Sequence, residues 1–526
     1  MPTVDPRTPV LVGVGTATGA HEPVDLMVLA TLAAADDAGA PALAAAADRI
    51  AVPQGTWGYP DPARLVAAAV GAAGARTHLG ELGVPQQTLV SQALRAITGG
   101  ASDVAVVVGG EARAWARTDG AVETAQPGAV PDVVEAREPE FFAAAELDAG
   151  MVVPPVQQYA VIENALWFHE TGSHETGRHE TGGGGMAAQQ RAIAALWARF
   201  NEVARHNPAA AFGQPMTAEQ IATPGPGNRP LAYPYNKWHA SQWTVDQAAA
   251  VLLCSAEAAR RFGVPADRWV FPLVGVDATH AVSLSRRRHL HRWPAMGVLG
   301  RAAEERVGRP LADAEVVEVY SCFPAAVRVQ QRELGLPPDR TPTVTGGMAF
   351  AGGPFNNFVY QSTAAVVPLL REQPGRLGVV TTVCGLLTKP GLAVWSAEPD
   401  GRPPLLDDLA GEAAAATPTA EVLDRYDGDA TVASFTVTYD GLDPVRVVVV
   451  ADVAGRAGAG GTGAGRVGDG GPDTDGTGAD GTGAGGTATA PVRCVATAED
   501  PALAAQVVAE GFVGARIRVD GLAFTA

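Results

Sequence analysis

The chain has 526 residues, of which 47% are hydrophobic and only 18% charged, and its formal net charge is −18. That excludes a chain disordered throughout, which would be poor in apolar residues, and a binder of nucleic-acid backbone, which needs a cationic face. No apolar run reaches the ~18–20 residues of a membrane helix. The length fits two to four folding units at roughly 150 residues each.

Pro9 to Gly15 reads as a first strand. Helical patterns follow at 24–38, 62–74 and 85–98, and Asp103 to Gly110 is a second strand. Continuous apolar strands between helices predict a parallel sheet covered on both faces. Residues 113–240 break that rhythm as a long excursion rich in loops, Pro and Trp, with a helix at 187–206. The rhythm returns with helix 245–262, strand 269–275, helix 295–307, strand 314–320, helix 323–334, helix 358–371 and strand 376–383. Two similar α/β halves are therefore expected. Beyond about 405 the texture turns β-rich, at 430–440, 444–453, 491–497 and 512–519. The Gly/Ala/Thr/Asp stretch at 454–489 cannot bury enough to order itself.

Three motifs are weak. Gly13-Val14-Gly15-Thr16-Ala17-Thr18-Gly19 has the spacing GxGxxxG, and a strand-end turn explains it better than a dinucleotide site. The thrice-repeated His-Glu-Thr-Gly text at 169–185 is glycine-rich, so nothing preorganises a metal there, and no metal is expected. Arg286 to Arg292 is the one basic cluster; it reads as a solvated face or as a seat for a phosphate-bearing ligand. Cys254, Cys322, Cys384 and Cys494 have no CxxC spacing, and Met1 to Asp5 show neither a basic nor an apolar signal region, so reduced thiols, no signal peptide and a cytoplasmic location are expected. Only two lysines occur, Lys237 and Lys389, in a chain that otherwise uses Arg. Either chance left them, or a compact ammonium was needed where a guanidinium would not serve, in which case one of them meets a ligand phosphate or a loop carbonyl.

Chemistry concentrates in three segments at second-half strand ends, where open α/β sheets hold ligands. They are Tyr320-Ser321-Cys322-Phe323-Pro324, the glycine loop from Gly346 to Phe358, and Cys384-Gly385-Leu386-Leu387-Thr388-Lys389-Pro390. Glycines there would let a substrate approach the backbone, and helix N-termini offer unpaired N–H groups.

With these segments the sequence resembles the thiolase superfamily over residues 8–400, nearest the sterol-carrier-linked thiolases and the type 1 thiolase-like proteins often labelled acetyl-CoA acetyltransferases. Cys322-Phe323 matches the H-D-C-F type motif, and Gly346 to Pro354 matches G-G-x-x-x-x-G-H-P. Ser241 to Asp246, before a helix containing Ala248-Ala249-Ala250, matches the coenzyme A loop region.

The resemblance implies a thiolase-like fold of two similar α/β halves. The first half comprises 1–112 and 241–265, with an inserted loop domain at 113–240, and the second spans 266–404. A small β-rich, OB-like domain occupies 405–526. Coenzyme A or an acyl-CoA is the implied ligand. Lys237, His239, Ser241, Gly346, Gly347, Gly352 and Gly353 are candidates to bind it, with Cys322, Cys384 and Asn356 as candidate catalytic groups. Asn356 and the N–H groups near Gly352-Gly353 would hold an oxyanion, and Tyr320 or His239 would move protons.

Two departures stand out. The nucleophilic cysteine's place falls near Gly83, and the histidine of G-H-P is Gly353. The covalent route then lacks its nucleophile and its base. Two readings follow: acyl-CoA chemistry of another kind, or a non-catalytic acyl-CoA-binding or partner subunit of lipid metabolism. A homodimer through the first half and a monomer are both open.

Overall fold

The computed structural model describes residues 4–139, 142–151, 155–171, 185–457 and 490–526. Most of the His-Glu-Thr-Gly repeat and most of the 454–489 stretch lie outside the described residues.

The first sheet has the order β1 (Pro9–Thr18), β8 (Asp246–Ser255), β4 (Val104–Ala112), β2 (Arg49–Pro53), β3 (Arg76–Gly80) and β5 (Val133–Glu135). It is mixed rather than parallel, because β8 runs antiparallel to both β1 and β4. The first strand outruns the expected turn. Gly13 and Gly15 lie inside it, where a Cβ would come within 1.9 Å of Ala34 O and 2.2 Å of Ala30 O. These glycines let the helix Pro23–Asp37 rest on the strand, which removes the dinucleotide reading.

A second correction concerns 245–262. It is strand β8 followed by a short helix, Ala256–Arg261, so Ala248-Ala249-Ala250 sits in a strand and the coenzyme A loop match fails on that point. The run is buried on both faces between two strands, and such continuous apolar text reads equally as strand or buried helix. The short strands β2 and β3, and the buried helix Val156–Glu170, also carry no strong pattern in the sequence.

The second sheet has the order β10 (Val316–Glu318), β11 (Leu377–Cys384), β12 (Lys389–Ser396) and β9 (Phe271–Asp277). The helix Gln86–Thr98 lies between the two sheets. Its Ser91 hydroxyl donates to Gly275 O at 2.9 Å, and its Thr88 hydroxyl donates to the Asp277 carboxylate.

The third sheet joins the C-terminal region to the excursion. Its strands are β6 (Pro230–Ala232), β7 (Tyr235–Asn236), β13 (Glu421–Val422), β14 (Tyr426–Asp440), β15 (Asp443–Ala457), β16 (Pro491–Ala498), β17 (Arg516–Gly521) and β18 (Ala523–Thr525). Pairing runs β14–β15–β16–β18–β17 and back to β14, so five strands close a barrel. A helix, Pro501–Glu510, links β16 to β17.

Candidate functional site

Loops from both sheets converge at the strand ends. After β3, Glu81 to Pro85 lead into the helix Gln86–Thr98. After β10, Tyr320 to Phe323 lead into the helix Pro324–Glu333, and after β11 a tight turn reaches Lys389. The glycine loop 343–357 lies across them and opens the helix Phe358–Glu372.

Cross-links fix this meeting point. Gln86 Oε1 accepts from Val359 N at 2.8 Å, and the Tyr360 hydroxyl donates to Gln86 O at 3.2 Å. Asn356 Nδ2 donates to Gln54 O at 3.1 Å, and the Tyr159 hydroxyl donates to Gly385 O at 3.1 Å. Buried Glu318, the last residue of β10, holds the root of the glycine loop. It accepts from Thr345 N at 2.9 Å, from Val344 N at 2.6 Å and from the hydroxyls of Thr343 and Thr345. Burial pushes its carboxyl up to about 7. Among the described residues, the only non-glycine residues at positive φ are Phe355 (+38°) and Leu387 (+57°), and both sit on these loops. Such backbone persists only where the surroundings over-determine it.

The two stations that the sequence leaves without thiol and imidazole are filled differently. Gly83 has φ +96° and is partly exposed; a Cβ there would lie 3.2 Å from Lys389 Nζ. At Gly353 a Cβ would lie 1.8 Å from Ser241 Oγ, so the serine takes the room a side chain would need. The other loop glycines face protein rather than open space. A Cβ would meet Ala204 at Gly346 (2.3 Å), Phe200 at Gly347 (2.5 Å) and Gln247 Oε1 at Gly352 (2.2 Å). At these three positions packing leaves no room for a side chain.

Cys322 and Cys384 both lie near the buried Tyr320 phenol, which burial and those thiols push well above its ordinary range. Cys322 is partly exposed as a residue, yet its thiol is enclosed. Burial pushes it up to about 12, against an opposing hydrogen bond with Tyr159. A thiol raised that far is protonated at neutral pH. Cys384 ends β11, directly opposite Lys389 in the strand pairing.

Two of the expected oxyanion donors have protein partners. Gly353 N donates to Gln242 O at 2.9 Å, and the Asn356 amide is turned to Gln54.

His239 is buried, with Nδ1 accepting from Asn236 N at 2.9 Å, and burial pushes it down to about 3. At neutral pH it is uncharged and a weak base. Its segment is pinned by Tyr235, whose hydroxyl donates to Glu163 at 2.8 Å and accepts from Ala325 N at 3.1 Å. Lys237 lies over the Trp238 ring, 4.9 Å from its centroid. Ser241 N donates to Cys322 O at 3.0 Å, joining its loop to the cysteine loop. Sequence reading missed Gln54, Gln86 and Tyr159 as parts of this junction, since none belongs to a motif. The basic cluster forms a small pocket in which Arg287, Arg288, His289 and Arg292 join His280 and Leu387, on the turn that precedes Lys389.

No protein-family model matches the chain, and no curated protein matches it. Solved structures do. A monomeric SCP2-thiolase-like protein type 1 from Mycobacterium smegmatis matches at a TM-score of 0.77 and 25% identity, over 99% of this chain and 100% of that one. The fold is that of the thiolase superfamily. Human mitochondrial 3-ketoacyl-CoA thiolase (TM-score 0.52, 16% identity) covers 74% of this chain and 99% of its own. The acetyl-CoA acetyltransferase of Syntrophomonas wolfei (0.51, 16%) covers 75% and 100%. These two thiolases therefore share the fold over about three quarters of this chain. The M. smegmatis protein matches nearly all of it, including the added C-terminal region.

Proposed function

We propose that this thiolase-fold protein binds an acyl-CoA thioester at the strand-end junction and does not form an acyl-cysteine at the Gly83 station. One observation carries the reading: the junction is fully built and cross-linked, while its two reactive stations hold a glycine beside an amine and a glycine filled by a serine hydroxyl. The arginine-rich pocket beside the 385–388 turn supports a phosphate-bearing ligand. The barrel order supports the OB type. Its region, 424–526, has seven arginines against fourteen acidic residues, which opposes a polyanion as its partner.

Calorimetry with coenzyme A and a series of acyl-CoAs, run beside assays for thioester hydrolysis and acyl transfer, tests this. Saturable binding without cysteine-dependent turnover is expected. Absence of binding overturns the reading. Turnover abolished by Cys322→Ala with Cys384→Ala would restore a cysteine mechanism.

A further inference from the structure

Lys389 is a long cationic side chain with only 1% of its surface exposed. No hydrogen bond or ion pair engages its Nζ among the described residues. The ammonium lies beside Gly83, whose missing Cβ would be 3.2 Å from Nζ. Gly83 itself is partly open to solvent.

Three residues further on, the helix Gln86–Thr98 begins. Pro85 at its N-cap supplies no side-chain cap, and the first turn contains no acidic residue. A helix start without a cap presents amide hydrogens and the positive end of the helix dipole. Two positive features thus lie beside Gly83, and the carboxylate at that helix turn, Asp277, is taken by the Thr88 hydroxyl. A buried ammonium lacking a partner is costly, and an ionised oxygen offers it the strongest hydrogen bonds.

We propose that Lys389 receives a carboxylate on the acyl group of the bound thioester, so that the preferred ligand is a malonyl-type, carboxylate-bearing acyl-CoA rather than a neutral one. This rests on the acyl-CoA reading above and names the substrate class within it.

The test compares coenzyme A, acetyl-CoA and malonyl-CoA by calorimetry on the full chain and on Lys389→Met. In the unaltered protein, malonyl-CoA should bind about tenfold or more tighter than acetyl-CoA, the size of one charge-assisted contact. Lys389→Met should erase that difference and leave coenzyme A affinity in place. Because the chain has two lysines, protein labelled with 13Cε-lysine gives two side-chain signals, and Lys237→Arg assigns them even if Lys389→Met does not fold. The Lys389 signal should move with malonyl-CoA and stay put with coenzyme A.

Equal affinity for acetyl- and malonyl-CoA, a difference that survives Lys389→Met, or an unresponsive Lys389 signal overturns the assignment while the acyl-CoA reading stands. No binding of coenzyme A or any acyl-CoA overturns both.

Discussion

At Gly353 a hydroxyl sits where a side chain would go. The would-be Cβ lies 1.8 Å from Ser241 Oγ and 3.2 Å from Ser241 Cβ. The conflict therefore involves the root of the serine side chain as well as its tip. Gly353→Ala should destabilise the fold by about 1–3 kcal/mol, the usual scale of overpacking. Adding Ser241→Gly should recover most of that loss, a coupling that urea denaturation of the four-member cycle measures. If the double variant is as unstable as the single effects summed, the two sites do not share space. Cys322 gives a second prediction. With its thiol pushed up to about 12 by burial, iodoacetamide at pH 8 should leave it unmodified in the native protein and alkylate it after denaturation, as peptide mass spectrometry reads out. At this scale the sequence discloses Cys322 and Gly353 through their motifs. It does not disclose that Lys389 points at Gly83, because nothing local to either residue records a contact made across the gap between two sheets.

Among the elements, β8 and β10 show what local text can and cannot carry. The run Ala248 to Cys254 has no alternation and no breaker, so only its two flanking strands decide that it is extended. Period and propensity yield to tertiary context there. Strand β10 is short, yet it sets the glycine loop, because Glu318 binds the backbone of Val344 and Thr345. Its carboxyl stands at about 7, raised from 4.5 by burial. A raised acid holds its proton more tightly in the folded state. The stability it contributes is full below pH 4.5 and is lost as pH rises through 7. The whole window is worth roughly 3 kcal/mol. Stability of the unaltered protein should therefore fall relative to Glu318→Gln between pH 5 and pH 8, as urea midpoints at several pH values would show. A constant difference across that range would mean that Glu318 does not titrate there.

Considered whole, the molecule is less divisible than its composition suggests. The sequence changes texture near 405; residues 405–409 run beside β9, with Gly275 N donating to Leu405 O and Leu409 N to Asp277 O, both at 2.8 Å, and the first barrel strand starts at Tyr426. What it hides is how the barrel is fastened. Strand β14 pairs with β6 of the excursion through Thr438 and Ala232. The Asn164 amide donates to Phe435 O at 2.9 Å, Ser434 Oγ donates to Val161 O at 2.7 Å, and Thr436 Oγ1 donates to Tyr233 O at 3.0 Å. Buried Arg493 of β16 pairs with Asp452 at 2.8 Å and donates to the carbonyls of Arg287 and Arg288 in the basic segment. Trp167, Phe168, Met186 and Tyr233 of the excursion share one apolar cluster with Phe435, Val437 and Val449 of the barrel.

Removing residues 405–526 would expose that cluster and leave the Asn164 amide without its Phe435 acceptor. Each large side chain returned to water costs about 1.5–3 kcal/mol, so the loss is comparable to the net stability of a whole domain. Chain 1–404 should therefore aggregate or melt far below the full protein, even though the thiolase-like part of the fold remains in it. A soluble 1–404 fragment with an unchanged melting temperature would show instead that the barrel is an independent attachment. In that case its contacts with the helix Val156–Glu170 and with the basic segment would be incidental to folding.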